Sequence, residues 1–113
     1  MFYHFNQNNS SGSFDFDENK GITHHVIIEA DKASHANADA KEIGIYFNGC
    51  FTGQDCDCCG DRWREVWESD GKEVPTIYGE PVQEVINSKY FYPRMEPGKE
   101  VCVHYKDGRK EWF

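Results

Sequence analysis

The run Asp55-Cys56-Asp57-Cys58-Cys59-Gly60-Asp61-Arg62-Trp63 places three of the chain's five cysteines in four consecutive positions. Cys56-x-x-Cys59-Gly60 has the spacing of a zinc knuckle. Two thiolates converge on one ion when the chain turns tightly, and a glycine after the second ligand permits the positive φ such a turn needs. Structural zinc takes four ligands, and there is no second C-x-x-C. Cys102 and His104, two apart in an extended stretch, project from one face and can supply the remaining thiolate and imidazole; His24, His25 and Cys50 are rival donors. Cys58 is expected outside the ligand set, because its side chain diverges from its neighbours in such a turn. Read as packing alone, Cys50 and Cys102 are small hydrophobes.

Nucleophilic chemistry is the sharper alternative. A thiolate would need a base, and His104 or His24 with Glu111 or Asp61 could fill the roles of base and orienting acid. Asp55, Asp57 and Asp61 surround the cysteines, however, and neighbouring negative charge disfavours a thiolate. No H-E-x-x-H or thioredoxin-like setting is present, so a thiol or zinc enzyme ranks below a non-enzymatic protein.

The segment after the cysteines carries candidate binding residues. Trp63 and Trp67 fall on one side of an extended Arg62 to Glu68 stretch and form a hot spot for a protein partner if that side is exposed. Arg62, Arg64 and Arg109 could instead fork onto phosphates, with aromatic faces for a base, which makes a nucleotide ligand the alternative. Tyr90 and Phe91, in the irregular Tyr90-Phe91-Tyr92-Pro93 link, form a second aromatic patch.

Composition bounds these readings. A chain of 113 residues fits one domain. Twenty acidic against twelve basic residues give a net charge of −8, which opposes phosphate backbones and makes nucleic acid a poor partner. No apolar run approaches the roughly 20 residues that span a bilayer, and no basic-then-apolar leader opens the chain, so a soluble, cytoplasmic protein is expected.

The elements that must position these residues read as an α+β domain with a mainly antiparallel sheet. Met1 to Phe5 alternates as a strand and runs into 7–13, a polar stretch expected to be a flexible loop. Phe14 to Asp17 alternates again, as a partner strand or an acidic loop. Thr23 to Ala30, rich in β-branched residues and apolar on both faces, reads as a central strand. Ala33, Ala36, Ala40 and Ile43 recur at helical spacing, predicting a helix over about 32–43 that Asp31 or Ser34 caps and Gly44 ends. Pro81 opens a second, short helix over about 81–87. Two hairpins are expected. One flanks Ser69-Asp70-Gly71-Lys72. The other turns at Asp107-Gly108, where a two-residue turn would set His104 opposite Glu111.

The strings DCDCCGDRW, GITHHVIIEA and VCVHYKDG together resemble an uncharacterised family of small proteins encoded by tailed bacteriophages. The resemblance covers nearly the whole chain, with the cysteine string as its most specific part. It implies a place in the cytoplasm of the infected host and an accessory role, in takeover of the host or evasion of its immunity, exerted by binding and inhibiting a host or defence protein.

Overall fold

The computed structural model describes residues 1–8, 15–55, 60–87 and 100–113. Its frame is a four-stranded sheet of β1 (Phe2–Asn6), β2 (His25–Glu29), β5 (Val101–His104) and β6 (Lys110–Trp112), in that order. Pairing is antiparallel at β1·β2 and β5·β6 and parallel at the central β2·β5. Between the central strands come α1 (Ala33–Glu42), α2 (Gly49–Thr52), the two-stranded ribbon β3 (Thr76–Ile77) and β4 (Glu80–Pro81), and α3 (Val82–Ile86).

Strand alternation divides the core into two layers. Tyr3, Phe5, Val26 and Ile28 pack against Ala33, Ala36 and Ala40 of α1 and against Trp63. On the opposite face Ile27, Val101 and Val103 pack against Ile77 and Val82. With both faces covered, β2 is buried almost throughout, as its near-continuous apolar run requires. The alanines let α1 lie close to the sheet. Its first free N–H is satisfied from a distance: neither Asp31 nor Ser34 caps the helix, and the Glu68 carboxylate accepts from the Ala33 N–H at 2.8 Å. Asp31 is engaged instead with Lys106. Gly44, at φ 110°, ends the helix as expected.

Two further local expectations fail. The Ser69-Asp70-Gly71-Lys72 hairpin is absent, because Glu68–Asp70 forms a 3₁₀ turn and β3 pairs with β4. The C-terminal hairpin closes one residue differently from a two-residue turn: the Tyr105 N–H donates to the Arg109 C=O, and Gly108 takes φ 94° in a three-residue loop. His104 therefore faces Lys110, while Glu111 faces Val103 and accepts from the Tyr105 hydroxyl, so it does not orient the histidine. Of the 7–13 stretch, expected to be a flexible loop, residues 9–13 lie outside the described residues; Gln7 is buried, and its amide donates to the Asp15 and Thr23 carbonyls.

Candidate functional site

Residues 62–72 form an arch over the outer edge of β1. At one foot the Asn8 N–H donates to the Arg62 carbonyl at 2.7 Å; at the other, Phe2 and Lys72 exchange both backbone hydrogen bonds, at 2.7 and 2.9 Å. Between the feet the chain follows no strand ladder. The Asn37 side chain takes a strand's place, accepting from the Val66 N–H at 2.9 Å and donating to its carbonyl at 3.1 Å. Trp63 and Val66 thus point into the core, while Arg64, Glu65 and Trp67 point out.

Arg62 fixes the first foot. Its guanidinium donates to the Tyr46 hydroxyl at 3.1 Å and to Gln7 Oε1 at 3.0 Å, and it pairs with Asp15 and Asp55 at 3.5 and 3.9 Å. The fully buried Asp55 carboxylate also accepts from the Tyr46 hydroxyl and the Arg62 N–H, at 2.7 and 2.8 Å. Burial, with Asp55 beside it, pushes the Tyr46 hydroxyl pKa up. Asp61 accepts from the Cys50 N–H at 3.0 Å, and those bonds hold its carboxyl below the usual range.

A cleft of about 690 Å³ lies between the arch and β1. Its floor holds His4, whose Nε2 is 2.8 Å from His25 Nδ1; the His24 ring stacks on His25 at 4.4 Å. Tyr78, at φ 51° in the β3–β4 turn, stands edge-on to the His4 ring at 5.2 Å. Burial first, and neighbouring imidazoles second, push His4 down to about 4 and His25 down to about 2. Both rings are therefore neutral at physiological pH. A smaller cleft of about 300 Å³ is also built on the arch, lined by Phe47, Trp63, Trp67 and Arg64.

The structure separates residues that the sequence places together. Trp63 is 1% exposed and belongs to the core, while Trp67 is 72% exposed, so the two do not make one hot spot. Asn37 and the buried Arg62 network break the strand alternation on which that expectation rested. Arg62 is committed internally, and Arg109 lies over the Tyr105 ring with its Nε on Asp107, so the three arginines do not assemble as phosphate contacts. Arg64 alone of them is an exposed residue of the arch.

Cys102 and His104 do share a face, and both crowd Gly21: a Cβ there would stand 2.6 Å from the His104 ring and 3.0 Å from Cys102 Sγ. His104 Nε2 lies 2.8 Å from the Gly21 carbonyl. Burial pushes the Cys102 thiol up to about 12, which suits a packed thiol and not a nucleophile. Cys56, Cys59, Tyr90 and Phe91 lie outside the described residues. Among the described residues no three His, Cys, Asp or Glu side chains gather where they could hold one ion.

Two features carry no clear sequence signal. The histidine cluster joins His4 to the His24-His25 pair through β1·β2 register, which pairs Asn6 with His25. Glu100 is 4% exposed, neither carboxylate oxygen has a hydrogen-bond partner among the described residues, and burial pushes its pKa up to about 7.

The family described as "Domain of unknown function (DUF7296)" matches residues 1–113, and the chain belongs to it. No curated protein and no solved structure matches. Among the described residues, no helix is long and apolar enough to cross a membrane.

Proposed function

We propose that this member of the family is a non-enzymatic binding protein of a tailed bacteriophage, which engages and inhibits a host or defence protein in the cytoplasm of the infected cell. The observation that carries the reading is Trp67. It is a large aromatic side chain, 72% exposed, on an arch whose backbone is held by Asn37, by the Arg62 network and by the Phe2·Lys72 bridge. A rigidly presented tryptophan loses little conformational freedom on docking and offers a large apolar area to a partner's pocket. Glu65 and Arg64 beside it supply a polar rim. Affinity capture from host lysate tests this, with wild type, Trp67→Ala and, as an exposed aromatic elsewhere, Phe51→Ala. Trp67→Ala should weaken capture of the partner by roughly tenfold or more while Phe51→Ala does not. Equal capture by all three, or capture of nothing, would overturn it.

Zinc belongs to the same proposal as a staple of the fold, with Cys56, Cys59, Cys102 and His104 as ligands. Its support is the convergence of Cys102 and His104 on Gly21.

A further inference from the structure

The ladder of β1 shows which of its backbone groups face outward. Met1 and Gln7 bond towards β2, the Met1 carbonyl accepting from Ala30 N–H and the Gln7 N–H donating to the His24 carbonyl. In an antiparallel pair alternate residues bond across the ladder, so Tyr3 and Phe5 also face β2, while Phe2, His4, Asn6 and Asn8 turn their N–H and C=O groups to the outer edge. Phe2 is closed by Lys72, and the Asn8 N–H by Arg62. The N–H and C=O of both His4 and Asn6 lie between these closures, facing the cleft under the arch, and among the described residues no strand pairs with them.

We propose that this slot receives a short extended peptide segment of the partner, which adds to the β1 edge by backbone hydrogen bonds to His4 and Asn6. The inference rests on the reading of the chain as a binding protein and names how it would grip. Four backbone groups at strand spacing match another strand's donors and acceptors. The closures at Phe2 and Asn8 stand about 20 Å apart, and with Lys72 and Arg62 filling the two ends the edge has room for a guest of about three or four residues, too little for sheet pairing between two copies of the chain. Among the described residues Val66 is the one aliphatic side chain lining the cleft, while Arg64, Lys72 and Glu65 bring charge to it, so the guest is polar and charged.

Amide hydrogen exchange and peptide selection test the slot together. In the free protein the His4 and Asn6 amides should exchange at least about tenfold faster than those of Tyr3 and Phe5. A displayed random-peptide library, panned on the full chain, should yield peptides that slow exchange at His4 and Asn6. Asn6→Pro removes an outward N–H, a change an edge strand tolerates, and should weaken those peptides about tenfold or more at an unchanged melting temperature. Should Asn6→Pro fail to fold, peptide-induced protection of the two amides in wild type remains the deciding measurement. Slow exchange at His4 and Asn6 in the free protein, or concentration-dependent dimerisation through β1, overturns the slot. So do a panned library that yields no binder and selected peptides that leave both amides unprotected. Capture of a partner that depends on Trp67 would survive each of these results.

Discussion

Arg62 and Arg64 are two residues apart, and their environments could hardly differ more. The Arg62 guanidinium offsets the buried Asp55 carboxylate and is bonded to Gln7 and Tyr46. Arg62→Ala leaves that carboxylate buried without its cation, a change that costs about 3–5 kcal/mol. Arg64→Ala removes a solvated charge and should stay within about 0.5 kcal/mol of wild type. Urea unfolding of the two variants checks this, and equal midpoints would refute the division of roles. The sequence shows two arginines flanking a tryptophan in an acidic setting. It does not show that Gln7, 55 residues away, and a buried Asp55, seven residues before it, choose one of them, and that is why Arg62 reads there as a surface contact.

At the scale of elements, the turn that ends at Gly21 is packed onto β5 so closely that a side chain at Gly21 would meet the His104 ring and Cys102, and its φ is 73°. Gly21→Ala should therefore cost well over the roughly 1–2 kcal/mol of left-handed backbone strain, whereas Gly79→Ala, at φ 85° with open space around it, should cost about that strain alone. Thermal unfolding separates the two, and similar losses would mean that the turn yields. If zinc bridges this region to Cys56 and Cys59, the purified protein should hold about one equivalent, and chelation should lower the melting temperature. Cys56→Ser and Cys59→Ser should each release the metal while Cys58→Ser is mild; retention of zinc by Cys59→Ser would remove that residue from the ligand set. The helices α1 and α3 and the main strands are legible in the sequence, because alanine spacing, a helix-opening proline and β-branched runs are local signals, whereas the single turn of α2 gives none. The arch is not, because its conformation is imposed by Asn37, Asn8 and Phe2, whose relevance no spacing reveals. The C-terminal register misleads for a subtler reason: Asp107-Gly108 fits both a two-residue and a three-residue loop, and one residue decides which side chain faces His104.

For the molecule as a whole, stability carries two opposed proton linkages. His4 and His25 have folded pKa values pushed below the ordinary 6.5, to about 4 and about 2, so the unfolded chain takes up protons first. Their contribution is intact above pH 6.5 and is lost progressively as pH falls towards those values. Glu100 runs the other way: raised from 4.5 to about 7, it favours the fold below pH 4.5 and costs stability as pH rises to about 7. Glu100→Gln should therefore raise the melting temperature at pH 8 and steepen its fall between pH 6.5 and 4.5. Unchanged stability at pH 8 would show that the carboxyl is solvated.

The parallel pairing of β2 with β5, His25 beside Val101, has a kinetic consequence. The centre of the sheet joins segments from opposite ends of the described chain, so the entropy of closing a long loop is spent before the core's main contacts reward it. Refolding is expected on the millisecond-to-second scale typical of non-local topologies, and not in microseconds. Until β5 arrives, the apolar β2 strand has an open edge, which makes the nascent or refolding chain prone to aggregate at concentrations the native protein tolerates.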